Sequence, residues 1–330
     1  MHESIMKNKS TKRSRGRDLA RRVMKIFLVE GAEDFGCDKI KEVIDSIPVE
    51  LKPAGLAFVS NLSGMLSTIC MPVTIASASA QQWRYRQILM AERIRYKGRL
   101  SGAGRTEKET NELAQKRFKD ELSSKDGVDR ITDATSEFLL HLHNDSLVKE
   151  AAAELLLQGI VLAWGAVEIL ARDVLEATVN AKPIIGKQLL DSPEGRKIYQ
   201  IKAIDLETLA KFDFNVSNNF GSIIVQFQDF SKLSVIRTTY ESMYQNNNKL
   251  RDILRSKDLW ILNQRRHLIV HNRSVADRRY IDSTGDSIST GDKLKITPRD
   301  IEKYLSLVQA VGIEIINAAR TSFVVSSSGT

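Results

Sequence analysis

Helix breakers are rare along this chain, which has six prolines and 18 glycines among 330 residues. Residues that favour helices, such as Ala, Leu, Glu, Lys and Arg, are common. Aromatic residues make up only 6%, so the core must be built mainly from Leu, Ile, Val and Ala. Long unbroken stretches carry apolar residues three to five positions apart, as amphipathic helices do. The sequence therefore predicts an all-α fold.

The charge and the cysteine content limit the classes of protein to which this chain can belong. The net charge is +8, and much of the excess lies in Lys7 to Lys25. A basic arm of this kind can bind RNA, DNA or an anionic membrane, or it can be a solvated tail. No apolar leader follows Met1-His2-Glu3-Ser4. Two cysteines, Cys37 and Cys70, predict neither a disulfide framework nor a zinc knuckle, and they favour a reducing, cytoplasmic interior.

Residues 1–125 are predicted to form a separate, mostly helical region. Short helices at Asp18–Glu30 and Asp38–Ile47 precede an uncharged apolar stretch at residues 53–83. Three interpretations of this stretch are open: buried helices, a membrane-inserting segment, or an interface covered by another subunit. Its many serines and threonines lower its hydrophobicity, which favours buried helices.

The segment Arg84–Arg99 is predicted to be a basic helix, with Tyr85 and Tyr96 between its cations. Aromatic rings interleaved with cations suit base stacking and phosphate contact. Arg84 and Arg86 are therefore candidate RNA-binding residues, and a solvated helix face is the alternative.

A linker near residues 123–128 is predicted to separate this region from a second helical domain at residues 130–325. Its closing helix should bury Tyr304, Val308, Val311 and Ile315, and Thr297-Pro298 is a strong helix start. The predicted segments are Leu139–Asn180 with a possible break near Asn144-Asp145, Asp252–Asn272, a loop at 274–295, and Ile301–Ala319.

The segment Arg265-Arg266-His267-Leu268-Ile269-Val270-His271-Asn272 is the best candidate for a functional site. On a helix, the five positions from Arg266 to His271 correspond to about 140° of rotation, so the two side chains flank one edge. His267 and His271 are four positions apart and share a face. The aliphatic residues between them are expected to anchor the helix in the core.

Such a group of side chains suits cleavage of RNA without a metal ion. RNA carries its own nucleophile, the 2′-hydroxyl. A histidine can take the proton of that hydroxyl or protonate the leaving 5′-oxygen. An arginine can hold the non-bridging phosphate oxygens as their charge builds up in the transition state.

An arginine followed by four residues and a histidine, on the penultimate helix of a helical domain, resembles the signature of the HEPN superfamily. The polar residue after the arginine, His267, also matches the form seen in RNA-targeting CRISPR effectors. Four segments are similar in order and spacing to prokaryotic HEPN proteins, so the resemblance covers about residues 140–325. They are Trp164-Gly-Ala-Val-Glu168, Phe227–Tyr244, Val270-His-Asn272, and the Gly-Asp loop before Ile296-Thr297.

The resemblance implies that Arg266 and His271 are the catalytic pair of a metal-independent endoribonuclease. Members of the family usually pair two HEPN units, need no cofactor, and often act as toxins or antiviral-defence effectors. Many members are inactive, so a non-catalytic interaction or RNA-binding module is one alternative. A membrane-associated effector acting through residues 53–83 is another. The tyrosine of one toxin branch is replaced here by Arg273, so that branch is not assigned.

Supporting roles are predicted for His267, Asn272 and Glu168, the last as a carboxylate that pairs with Arg265 or Arg266. Arg265 and Arg273 are predicted to guide RNA phosphates.

The structural alternative is a polar cluster at the end of the helix that holds the following loop through Asp277 or Asp282. Two histidines four positions apart can also bind zinc. However, only Asp277 is close enough in sequence to be a third ligand, and no metal is predicted.

Overall fold

The structure, a computed structural model, describes residues 37–97, 106–201 and 203–324. The predicted all-α fold is confirmed in this part of the chain, where no strand occurs. An isolated antiparallel bridge joins Val275 to Lys293. The basic arm Lys7–Lys25 and the predicted helix Asp18–Glu30 lie outside the described residues.

The described chain divides into two compact units. The first consists of Ile69–Leu155, without the undescribed residues 98–105. The second consists of residues 37–68 together with 156–324. The helices of the first unit are α3 (Met71–Lys97), α4 (Glu107–Leu122), α5 (Lys125–Asn144) and the first turns of α6 (Ser146–Ala181).

In the first unit, α3 packs against both α4 and α5. Ala76 and Leu139 are fully buried in this packing. Two carboxylates tie the helices together, because Glu92 pairs with Arg95 and Arg117 while Glu121 pairs with Arg84 and Arg130. The hydrogen bond from Arg84 lowers the pKa of Glu121 and outweighs the opposing effect of burial.

The second unit contains the remaining helices, with α6 and the C-terminal helix supplying much of its core. They are α1 (Cys37–Asp45), α2 (Lys52–Ile69), most of α6, α7 (Pro183–Asp191), α8 (Pro193–Tyr199), α9 (Leu206–Ala210), α10 (Val216–Ile224), α11 (Leu233–Met243), α12 (Asn248–Leu254), α13 (Lys257–Asn272), α14 (Arg278–Thr284) and α15 (Pro298–Val324). A 3-10 turn at Val225–Phe227 follows α10.

The predicted buried stripe of the closing helix is confirmed, since Tyr304, Val308, Val311 and Ile315 of α15 are all buried. The Thr297 hydroxyl caps α15 by accepting from the backbone N–H of Asp300 at 3.2 Å. Proline at the first helical position has no N–H that would need a partner there.

The predicted break near Asn144-Asp145 is also confirmed, because α5 ends at Asn144 and α6 begins at Ser146. The predicted helix Asp252–Asn272 is instead two helices, α12 and α13. Ser256 interrupts it by capping α13, its hydroxyl accepting from the N–H of Leu259.

The units do not follow the predicted division near residue 125. Ser123 and Ser124 are the only residues between α4 and α5, and most of the predicted linker is the first turn of α5. Ser124 caps that turn by accepting from the N–H of Gly127. Because α5 packs on α3 and α4, it belongs to the first unit rather than to the domain predicted from residue 130.

The uncharged stretch at residues 53–83 is divided between α2 and α3. On α2, Phe58, Leu62 and Met65 are almost completely buried. By length and composition alone, α6 could cross a membrane, and α2 and α3 pass the same test as a pair. Membrane contact through this stretch stays a prediction.

Candidate active site on helix α13

Helix α13 carries the whole candidate segment. It is held in place by a buried inner face and by a hydrogen bond from one of its side chains. The buried residues on its inner face are Leu259, Leu262, Leu268 and Ile269. The backbone carbonyl of Ser231 accepts two hydrogen bonds, one from Asn263 Nδ2 of α13 at 3.2 Å and one from Trp164 Nε1 of α6 at 3.1 Å. Trp164 is fully buried. The side chains that follow Asn263 therefore start from a fixed backbone.

The anchoring of the segment differs from the prediction at one position. Leu268 and Ile269 are buried as expected, but Val270 is 47% exposed. Val270 is one residue, or about 100° of rotation, beyond Ile269, and this turns it out of the core. Two aliphatic residues, not three, hold the polar side chains in place.

His267 and His271 lie side by side on the exposed face of α13. Their ring centroids are 4.5 Å apart and the rings are inclined by 44°. The pKa of His267 is lowered, chiefly by desolvation and then by the nearby charges of His271, Arg266 and Arg279. A lowered pKa favours the neutral imidazole, which can accept a proton.

Arg266 is half-buried. Within the described part of the chain, no hydrogen bond or ion pair holds its guanidinium. Its charge acts on the Glu168 carboxylate of α6, lowering a pKa that burial raises more strongly. The predicted pairing of Glu168 with this arginine is thus an electrostatic interaction rather than a hydrogen-bonded ion pair.

Arg265, in contrast, is only 14% exposed and lies in a cluster of opposite charge. It donates to Asp286 at 3.0 Å and lies 3.5 Å from Asp300 at the start of α15. Its guanidinium also lies 5.7 Å from the centre of the Tyr304 ring. Burial acts to lower the pKa of Arg265, but Tyr304 and Asp286 outweigh it and raise the pKa.

These contacts weigh against the RNA-binding role predicted for Arg265, which stays a prediction. Its Nη atoms are occupied by two carboxylates, and its Nε atom is buried without a hydrogen bond. A phosphate would have to displace those partners to reach it. Arg265 therefore joins α13 to α15 and to the loop before it.

The end of α13 is fixed by its own polar residues. Arg273 adopts the left-handed conformation, with φ of 51°, and its N–H bonds to the carbonyl of Leu268. Asn272 donates from Nδ2 to Asp277 Oδ2 at 3.0 Å. The polar side chain of α13 that holds the following loop through Asp277 is thus Asn272, and not Arg266 or His271 as the structural alternative supposed. The side chain of Arg273 is exposed.

The loop predicted at 274–295 contains the short helix α14, which Asp277 caps by accepting from the N–H of Tyr280 at 2.7 Å. Consequently α13 is not the penultimate helix, as the resemblance supposed, because α14 lies between it and α15. Asp277 could have been recognised in the sequence as a cap three residues before Tyr280.

The two arginines predicted in the N-terminal region belong to the first unit. Arg84 donates to both carboxylate oxygens of Glu121, at 2.9 and 3.0 Å, so its guanidinium is engaged in holding α3 to α4. Arg86 is exposed and its predicted RNA contact stays a prediction.

The structure thus brings together two exposed imidazoles and an arginine that no carboxylate holds, on one rigid helix. Among the described residues, no group of three or more His, Cys, Asp or Glu side chains is arranged to hold a metal ion. The functional groups present are proton donors and acceptors with a cation beside them, which suits acid–base chemistry on an anionic substrate.

No family model, curated protein or solved structure matches this chain.

Proposed function

We propose that this chain is a metal-independent endoribonuclease in which Arg266 binds the scissile phosphate and His271 acts as the acid or base. The observation that carries the proposal is the pair of exposed imidazoles 4.5 Å apart, next to an arginine with no hydrogen-bonded partner in the described chain. Arg265, one position earlier, shows what a purely structural arginine of this helix is like: buried, and paired with two carboxylates.

The reaction follows from the chemistry of these groups. The neutral form of His267, which its lowered pKa favours, takes the proton from the 2′-hydroxyl of RNA. The 2′-oxygen forms a bond to phosphorus while the bond to the 5′-oxygen breaks, and His271 delivers a proton to that leaving oxygen. Arg266 stabilises the charge that develops on the non-bridging oxygens. The products are a 2′,3′-cyclic phosphate and a free 5′-hydroxyl.

We further propose that the chain acts as a homodimer and serves as a toxin or an antiviral-defence effector in the cytoplasm. These parts of the proposal rest on the resemblance of the Arg266-to-His271 segment to HEPN proteins. Glu168 is proposed to support the site because burial raises its pKa and the nearby Arg266 charge lowers it, so the two side chains interact electrostatically.

The chemical identity of the product ends tests the mechanism. The purified chain is incubated with single-stranded RNA in EDTA, and the ends of the fragments are determined. We expect 2′,3′-cyclic phosphate and 5′-hydroxyl ends, and no cleavage at a nucleotide whose 2′-hydroxyl is replaced by hydrogen. Fragments with 5′-phosphate ends, or cleavage at the 2′-deoxy position, would rule out the 2′-hydroxyl route.

A second candidate is an RNA-binding module that does not cleave. One observation favours it: within the described residues, neither His267 nor His271 has a hydrogen bond that would orient its ring, as many catalytic histidines have. This candidate predicts RNA binding without fragments, and a binding affinity that depends on Arg266 more than on His271.

A further inference from the structure

Helix α14 is placed against the end of α13 by a single carboxylate. Asp277 Oδ1 accepts from the N–H of Tyr280, at 2.7 Å, and caps α14. Asp277 Oδ2 accepts from Asn272 Nδ2, at 3.0 Å, and so connects the cap to the last residue of α13. Asp277 therefore helps to set the position of the first turn of α14 relative to the exposed end of α13.

Backbone hydrogen bonds fix the short connection between these helices. The carbonyl of Ser274 accepts from the N–H of Leu294 at 2.7 Å, and the N–H of Ala276 donates to the carbonyl of Asp292 at 2.9 Å. The N–H of Gly291 returns a bond to the carbonyl of Ala276 at 2.8 Å. Because these bonds join the turn to the loop that precedes α15, the backbone at the start of α14 is held in one position.

Arg279 lies in this first turn and is exposed. Its charge adds to the lowering of the His267 pKa, after desolvation and the charges of His271 and Arg266. In the described chain Arg279 takes part in no ion pair or hydrogen bond. Its neighbour Arg278 is also exposed but lies 3.8 Å from Asp282, one turn further along α14. Of these two adjacent arginines, Arg278 thus lies near a carboxylate of its own helix, whereas Arg279 has no such partner among the described residues.

We propose that Arg279 binds the RNA phosphate next to the scissile one, so that α14 forms a second wall of the site on α13. The Asn272–Asp277 bond brings the first turn of α14 to the end of α13 that carries the histidines, and a cation on that turn can fix the direction in which the RNA strand crosses α13. Contacts of this kind position a nucleic acid without reading its sequence. The inference rests on the proposed function, because it takes RNA to be the substrate of the α13 face.

Arg279→Ala and Arg278→Ala form a matched pair, since both remove one exposed positive charge from the same turn. Each is combined with His271→Ala to prevent cleavage, and binding to a short fluorescent single-stranded RNA is measured at several salt concentrations. We expect Arg279→Ala to weaken binding about fivefold more than Arg278→Ala. The slope of log affinity against log salt should become shallower by about 0.7, the value for one phosphate contact on a single strand.

Equal affinities for the two variants would overturn the inference, and so would an unchanged salt slope in Arg279→Ala. Circular dichroism melting identifies a variant that fails to fold, and Arg279→Lys, which keeps the charge, should then retain most of the affinity. Cleavage by the two single variants, with His271 present, separates this inference from the proposed function. If RNA is cleaved and the variants behave alike, only the inference fails. If nothing is cleaved while Arg279→Ala alone weakens binding, the ribonuclease proposal fails and the RNA contact stands.

Discussion

Adjacent arginines of α13 have opposite surroundings. Arg265 is 14% exposed and paired with Asp286 and Asp300, whereas Arg266 is half-buried and acts at a distance on Glu168. Removing the guanidinium from this partly buried cluster leaves its two carboxylates without their cation, which costs about 1–3 kcal/mol. Removing Arg266 breaks no hydrogen bond among the described residues.

Substitution of Arg265 should therefore affect stability, whereas substitution of Arg266 should affect activity. We expect Arg265→Ala to lower the free energy of unfolding by about 1–3 kcal/mol, and Arg266→Ala to change it by less than about 1 kcal/mol. Arg266→Ala should abolish RNA cleavage. Chemical denaturation followed by circular dichroism, with a cleavage assay on the same samples, measures both quantities. A large stability loss in Arg266→Ala would indicate a structural role for this arginine. Full activity in Arg266→Ala would exclude a role in cleavage.

The pKa of His267 provides a second test of the site. Desolvation lowers it first, and the positive charge of His271 lowers it further. An ordinary histidine has a pKa of about 6.5. His267 should therefore remain neutral down to a lower pH than an ordinary histidine does. His271→Gln removes the neighbouring charge, so we expect the pKa of His267 to rise in that variant.

Titration of the histidine ring resonances by NMR checks this. His141, an exposed histidine of α5, supplies the control, since His141→Gln should leave the pKa of His267 unchanged. A pKa of His267 at or above 6.5, or one that His271→Gln does not move, would mean that the two rings are not coupled as described.

Helices α2 and α15 approach each other closely at Gly312. A Cβ added there would lie 2.3 Å from Phe58 Cε1, and Phe58 is fully buried, so its ring has no free space to move into. We expect Gly312→Ala to lower the free energy of unfolding by about 1–3 kcal/mol, the usual cost of overpacking a core.

Gly165 of α6 is the matched control, because an added Cβ there meets nothing within 4 Å. Gly165→Ala should be neutral or stabilising by up to about 1 kcal/mol, since alanine loses less backbone entropy in a helix. Thermal melting of both variants compares them. Equal stabilities would indicate that α2 does not pack on α15 as closely as the structure has it.

Local signals were enough to predict several helices, but not the pairing of their charged residues. Thr297-Pro298 and Asn144-Asp145 mark real helix ends because a cap or a break depends on neighbouring residues only. The start of α13 does not coincide with the start of the predicted helix, because Ser256 caps a new helix three residues before Leu259. The burial of Arg265 was not predictable, because its partners Asp286 and Asp300 are 21 and 35 positions away.

Across the described residues, the two units differ from the division expected from composition. The charged character of α4 and the serines after it indicated a linker, yet α5 continues the first unit. Conversely, residues 37–68 belong with the second unit. The unit to which a helix belongs depends on which other helices share its core. Helical periodicity shows that one face of a helix is apolar, but it does not show which element covers that face.

The proposed homodimer is a property of the assembled molecule and can be tested directly. We expect light scattering after size-exclusion chromatography to give twice the mass of one chain. Mixing Arg266→Ala with His271→Ala chains should restore part of the cleavage, because a cleft built by two copies then keeps one intact arginine and one intact histidine. A monomer that cleaves RNA would contradict the dimeric site.

If a histidine and an arginine of α13 cleave RNA without a metal ion, loss of His271 must stop cleavage in EDTA. The rate of RNA cleavage in EDTA is therefore measured for the unaltered chain, His271→Ala and His141→Ala. We expect fragments from the unaltered chain and from His141→Ala, and none from a folded His271→Ala. Undiminished cleavage by His271→Ala, or activity that EDTA removes, would contradict this mechanism.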